Sequence, residues 1–152
     1  NIFRQKLEEK LLPLAHQKSV GIIVRLPLAS GLLTGKFDKN TKFGENDHRN
    51  FNQNGEMFNV GETFAGLPFE KGVELTNKLK ELCPATMNLT EMSLRWILDH
   101  KEVTTIIPGA SSGKHIAQNA GVSKLSPLPE DLKNKIAAFY KEEVHKHIRG
   151  KY

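Results

Sequence analysis

Two short segments concentrate the residue types that bind anions. Residues 107–119 run from Ile107 and Pro108 through Gly109, Ala110, Ser111, Ser112, Gly113, Lys114 and His115 to Gln118 and Asn119. Ser112 suits a helix cap, and the free N–H groups of a helix start attract negative charge. Ser111 and Ser112 add hydroxyl donors at that point, and Lys114 and His115 add cations. The other segment, 25–36, carries Ala29, Ser30 and Gly31, small enough to let a backbone approach a ligand closely. It ends on Gly35 and Lys36 but is not a phosphate-binding P-loop. Only three residues separate Gly31 from Gly35, and Phe37 stands where that motif needs a metal-binding Ser or Thr.

Other reactive side chains read more plainly. His145 and His147 are two apart and do not face one another on a helix, and no Cys/His spacing supports zinc. Cys83 has no identifiable base, so it reads as a buried or idle thiol rather than a nucleophile. Trp96 falls on an apolar helical stripe and reads as core, and the charged run 141–151 reads as a solvated helix face.

The elements that must position the two segments follow from periodicity. Leu7, Leu11, Leu14 and Ala15 fall at helical spacing, with Pro13 in a first turn or at a kink. Residues 20–25 form a β-branched run closed by Pro27, and residues 103–107 a second one closed by Pro108. Unbroken apolar runs of this kind predict strands buried on both faces, as in a parallel sheet. Between them, 30–66 is a long glycine-rich loop whose Phe37, Phe43, Phe51, Phe58 and Phe64 predict docking onto a body, as in an active-site loop. Phe69, Val73, Thr76 and Leu79 mark a helix that starts at Pro68 and ends before Pro84. Asn88 and Glu91 form a capping box for a helix burying Leu89, Met92, Trp96 and Ile97. A short helix follows over about 113–120, then a final one over about 129–148 with the stripe Leu132, Ile136, Phe139 and Val144, Tyr140 beside it. Glu130 and Asp131 in its first turn, and Lys146, His147 and Arg149 near its end, suit the helix dipole.

Composition narrows the class. The 152 residues fit one domain, and 22 Lys and Arg against 17 Asp and Glu leave a net charge of +5, which suits an anionic partner. At 38% hydrophobic content, with no run long enough to span a bilayer, a membrane-embedded protein is excluded; the recurring apolar residues argue against disorder. One cysteine rules out a disulfide-built secreted scaffold, and the start at Asn1 shows no signal peptide, so the expected location is cytoplasmic. That start also lacks Met, which reads as the middle of something larger. The helices flanking 83–88 resemble a helix-turn-helix, but the second offers only Arg95 and Lys101 as cations, so no nucleic-acid partner is expected.

Taken together the segments resemble the aldo-keto reductases. Residues 21–36 are similar to that family's seventh barrel strand and following loop, and 106–119 to its eighth strand and cofactor-clamping helix. Residues 93–98 resemble its seventh outer helix; 48–52 with 61–64 resemble a loop of a bacterial subgroup. Arg25 stands where many members place an aromatic, and His115 where many have Arg or Gln.

The resemblance implies an α/β fold: the C-terminal part of a (β/α)8 TIM barrel, with two barrel strands and their outer helices across 1–152. A whole barrel needs about 250 residues. The implied function is NAD(P)H-dependent reduction of aldehydes or ketones, with this chain supplying cofactor-binding loops and part of the pocket wall. The implied cofactor is NADP, with NAD as the other candidate, and the implied substrate a small carbonyl compound. Pro27, Leu28, Ala29, Ser30, Gly31 and Leu32, with Lys36, are implied to hold the pyrophosphate. Pro108, Gly109, Ala110, Ser111, Lys114, His115, Gln118 and Asn119 are implied to hold the adenosine end. The family's catalytic tetrad belongs to earlier strands, so no catalytic residue is assigned, and the chain alone is expected to be inactive. The missing barrel half, or self-association, is expected to cover its open strand edges. The alternative is a non-catalytic half-barrel that binds a nucleotide or a partner.

Overall fold

The computed structural model describes residues 1–150; Lys151, the last cation of the run 141–151, and Tyr152 lie outside the described residues. Helix α1 (Leu7–Gln17) leads into strand β1 (Ile22–Val24), and a single turn over Ala29–Thr34 opens the long loop. The loop holds the short helix α2 (His48–Phe51) and turns at Val60–Glu62 and Phe64–Gly66. Then come α3 (Phe69–Lys80), α4 (Leu89–Leu98), strand β2 (Val103–Ile106), α5 (Gly113–Gly121) and α6 (Glu130–Phe139). The chain is α/β, as the sequence predicts.

β1 and β2 pair in parallel, with Ile22 opposite Val103, Ile23 opposite Thr105 and Val24 opposite Ile106. The register slips between Ile22 and Ile23, and there the Thr104 hydroxyl accepts the Ile22 N–H at 3.1 Å in place of a backbone carbonyl. A side chain at Gly21 would close to 3.2 Å on that hydroxyl, so the small residue makes room for the substitute bond.

The core lies on one side of this pair. Leu32 and Leu33 from the turn after β1 meet Leu75 and Leu79 of α3, Met92 of α4 and Ile136 of α6, all fully or almost fully buried. The expectation that both strands are buried on both faces fails. Ile23 is 63% exposed and Ile107 57%, because a two-stranded sheet leaves each outer edge and the face away from the helices uncovered among the described residues. α1 departs for a related reason. Of its predicted face only Ala15 is buried; Leu7 and Leu11 border an open cavity and, like Leu14, stay about half exposed. Pro13 sits inside α1, past its first turn, where it takes a donor away from the Glu9 carbonyl.

The long loop docks, in part as predicted. Phe43 meets Phe37 at 5.3 Å and Phe69 at 5.4 Å between ring centres, both edge-on, and Phe64 lies 5.0 Å from Phe69. Arg49 stacks over Phe43 at 4.7 Å, and its hydrogen bonds hold the Asp47 carboxyl down at about 2. Phe51 and Phe58 do not join that cluster and instead pack on each other at the surface. The buried Asn52 side chain turns them outward by accepting the N–H groups of Met57 and Phe58 at 2.9 and 2.8 Å.

The capping box forms as predicted: Asn88 Oδ1 accepts the Glu91 N–H at 3.0 Å and Glu91 Oε2 accepts the Asn88 N–H at 2.8 Å. Asn88→Ala is expected to cost about 1 kcal/mol, read as a lower urea midpoint with unchanged slope. An unchanged midpoint would mean the helix end is held by packing alone. The final helix is not continuous to 148. It ends at Phe139 and widens into a π turn over Tyr140–Val144, then a tight turn over His145–His147. The inward residues Ile136, Tyr140 and Val144 are spaced by four, and a backbone of 3.6 residues per turn must unwind to keep them facing the core.

Candidate functional site

The parallel pairing places the ends of β1 and β2 side by side, and the Ile107 N–H extends the ladder by donating to the Val24 carbonyl at 3.0 Å. In open α/β sheets, ligands bind beyond the carboxyl ends of such strands.

The turn after β1 is strained. Leu26, Ala29 and Ser30 have φ of +51°, +49° and +55°, followed by Gly31 at +99°. Left-handed backbone at non-glycine residues costs on the order of 1 kcal/mol each and survives only where the surroundings hold it. Three supports do so here. Leu32 and Leu33 are fully buried, and a side chain at Gly31 would stand 2.8 Å from the Phe37 ring. The third support is Ser30 itself, whose Oγ accepts the Phe64 N–H at 3.2 Å and donates to the Glu62 carbonyl at 3.3 Å. Its partner turn is strained too: Phe64, Ala65 and Gly66 have φ of +52°, +58° and +83°. Arg25, at the end of β1, grips Glu62 with both terminal nitrogens, at 2.8 and 3.3 Å. Two distorted turns, 34 residues apart, are thus tied by one hydroxyl.

Ala29 and Ser30 border a cavity of about 710 Å³ between α1 and β1, with Ile22, Trp96 and His100 on its walls. Pro27, Ala29 and Leu32 are buried, Leu28 packs against the core and the Ser30 hydroxyl is engaged with Glu62 and Phe64, so what the turn offers a ligand is its backbone. Lys36 is exposed beyond the turn.

The turn after β2 is open. Pro108, Ala110 and Asn119 line a second cleft of about 480 Å³ under α5, with Ile107 and Ile116. The Ser112 hydroxyl is used as the α5 cap, accepting the His115 N–H at 3.2 Å, and Ser111 Oγ meets His115 Nδ1 at 3.1 Å. Asn119 reaches back to the Gly109 carbonyl at 3.4 Å, while Lys114 and Gln118 lie exposed on α5. The sequence predicts docking for Phe64 but not the bonds that Phe64 and Glu62 make to Ser30 and Arg25, because neither residue type announces a contact made across the loop.

Titratable groups elsewhere are structural. His100 Nδ1 faces the Trp96 and Ile97 carbonyls, and Nε2 lies 3.4 Å from Glu8. Burial pushes His100 down, but Glu8 and the two carbonyls outweigh it and its pKa is raised. A raised folded pKa contributes stability below the ordinary value of about 6.5 that is lost as pH rises through the folded one. Warming scans between pH 5.5 and 8 are therefore expected to show a steeper loss in the wild type than in His100→Gln; equal slopes would contradict it. Cys83 is pushed up, mainly by burial, which suits an idle thiol. Among the described residues no three His, Cys, Asp or Glu stand close enough to share a metal ion, and no helix is long and apolar enough to cross a membrane.

Comparison with known proteins agrees with the resemblance. The sequence profile of the aldo/keto reductase family matches residues 1–141. An uncharacterised oxidoreductase of Bacillus subtilis, YqkF, is 25% identical over 143 residues, covering 93% of this chain and 42% of that protein. Probable voltage-gated potassium channel β subunits of Arabidopsis thaliana and Oryza sativa are each 27% identical over 135 residues, 84% of this chain and 38% of theirs. A glycerol dehydrogenase structure from Gluconobacter oxydans superposes over all of this chain and 43% of its own, with a TM-score of 0.74 at 21% identity. The holo form of an aldo-keto reductase from Bacillus halodurans covers 91% of this chain and 39% of its own, with a TM-score of 0.60 at 25% identity. The chain thus spans about two fifths of the length of these relatives.

Proposed function

Because the chain belongs to the aldo/keto reductase family, we propose that it is the C-terminal part of a (β/α)8 barrel that reduces aldehydes or ketones with NAD(P)H. β1 and β2 are then the last two barrel strands. The observation that carries the proposal is the pair of strained turns tied by Ser30 at the end of β1, since strain held this tightly clusters at ligand sites. Small residues at 29–31 and the cations Lys36 and Lys114 suit a dianionic pyrophosphate, and the segment 108–119 contains no carboxylate.

A nicotinamide dinucleotide held here would supply the hydride for carbonyl reduction. This chain's share is to hold and orient it. The Ser30 turn and Lys36 would hold the pyrophosphate, the segment 108–119 would hold the adenosine end, and the loop 37–66 would wall the pocket. The acid that protonates the carbonyl oxygen belongs to other strands of the barrel. With one cysteine and a reducing cofactor, the location proposed is the cytoplasm.

The test is titration of the 152-residue protein with NADPH, followed by the nucleotide's fluorescence. Saturable binding that weakens in Ser30→Ala is expected; no saturation up to millimolar NADPH would overturn the proposal.

A second reading is a non-catalytic half-barrel that binds a partner. It is favoured by the two plant relatives described as channel subunits and by the exposed Leu7, Leu11, Leu14 and Ile23. An upstream segment carrying a tyrosine and a lysine in the native protein, sought by intact mass and sequencing, would decide for the reductase. Without such a segment, the open strand edges are proposed to pair with a second copy.

A further inference from the structure

The last described residues fasten the long loop to the body. Arg149 N–H and Nε both donate to the Gly66 carbonyl, each at 3.0 Å. One terminal nitrogen of its guanidinium donates to the Leu67 and Gln53 carbonyls at 3.1 and 3.0 Å, and the other to Asn54 Oδ1 at 2.8 Å. Side-chain donors thus reach acceptors 82 to 96 residues away in sequence, on both limbs of one loop. A planar fork with five donors can do this; a lysine ammonium, with three donors on one atom, cannot reproduce it. The other side of the contact is shaped to match. Gly66 has φ +83°, and a side chain there would stand 2.9 Å from the Arg149 carbonyl oxygen.

From Gly66 the chain leads back through Ala65 to Phe64, whose N–H rests on Ser30. We infer that Arg149 is a positioning residue for the Ser30 turn: by pinning Gly66 and Leu67 it holds Phe64 and Ala65 left-handed and keeps the Ser30 hydroxyl engaged. Left-handed backbone at those two residues relaxes once its surroundings stop holding it. Ser30 then loses its Phe64 donor, and the turn after β1 loses a support. The consequence for cofactor affinity rests on the function proposed above; the coupling between the two turns does not.

Hydrogen exchange on the 152-residue protein tests the coupling directly. In Arg149→Ala, amides of 53–67 and also of 29–33 are expected to exchange about tenfold faster or more, the loss of hydrogen bonds to a charged group. Amides of α3 and α4 are expected to keep their protection. Added methylguanidinium should restore slow exchange in Arg149→Ala, and Arg149→Lys should restore little of it. Faster exchange confined to 53–67, or a uniform loss that includes α3 and α4, would overturn the inference. Should both Arg149 variants fail to fold, Asn54→Ala removes a single acceptor, and the same pattern at smaller amplitude is expected; unchanged exchange at 29–33 would overturn it. NADPH titration runs alongside. If the wild type binds and Arg149→Ala binds equally well, the inference fails and the cofactor proposal stands. If the wild type does not bind, the cofactor proposal fails and the exchange pattern alone decides the inference.

Discussion

The 152-residue protein is expected to oxidise NADPH no faster with aldehydes or ketones present than without them. Carbonyl reduction needs a proton donor beside the hydride donor, and positioned acids contribute on the order of 10²–10⁴ in rate. At the strand ends the candidate is His115, which is engaged by Ser111. The ion pair of His100 and Glu8 borders the larger cavity, but His100 precedes β2 and so lies at the opposite end of the sheet from the Ser30 turn. The measurement is absorbance loss of NADPH over a broad panel of carbonyl compounds. Turnover that persists in material shown by mass to be one species would sink the proposal that the acid lies elsewhere.

The second large effect concerns which dinucleotide is preferred. NADP carries a 2′-phosphate that NAD lacks, and the segment 108–119 offers Lys114, His115 and Ser111 near the N-terminus of α5 without a carboxylate. An acidic residue of the kind that holds a free ribose hydroxyl in doubly wound NAD-binding folds is absent from that segment. Charge-assisted contacts contribute about 1.5–3 kcal/mol each, roughly ten- to a hundredfold in affinity. NADP is therefore expected to bind more tightly than NAD in a complete barrel. Lys114→Ala with His115→Ala should weaken NADP by that factor and NAD far less, with the gap shrinking as salt rises. Equal losses, or tighter NAD binding by the unmutated protein, would show that this turn does not read the phosphate.

What could be read in the sequence was local. Asn88 and Glu91 cap α4 because both bonds close within three residues, whereas β1 ends at Val24 and β2 at Ile106, short of Pro27 and Pro108. The faces of those strands were misread because β-branched residues report a preference for a pleated surface, not whether anything covers it. Leu7, Leu11 and Leu14 failed for the same reason: a stripe predicts burial only where a partner exists. Phe51 and Phe58 were misplaced by a single side-chain oxygen, that of Asn52, which composition does not reveal. In the candidate site, the small residues of 29–31 were legible, but their support was not. The bonds of Ser30 to Phe64 and Arg25 to Glu62 join residues 34 and 37 apart, and no spacing rule links such positions. Arg149, read from sequence as a charge near a helix end, is the extreme case.

The pairing of β1 with β2 also fixes an order of events during synthesis. The hydrogen bond from the Ile22 N–H to the Thr104 hydroxyl spans 82 residues, so β1 leaves the ribosome long before β2 exists. At about 5–20 residues per second, that interval is roughly 4–16 s. Helices α3 and α4 can form within it, while the strand pairing must await closure of the long loop. For those seconds Ile22, Ile23 and Val24 lack the neighbour that pairs with them, an apolar edge a chaperone would cover until β2 emerges.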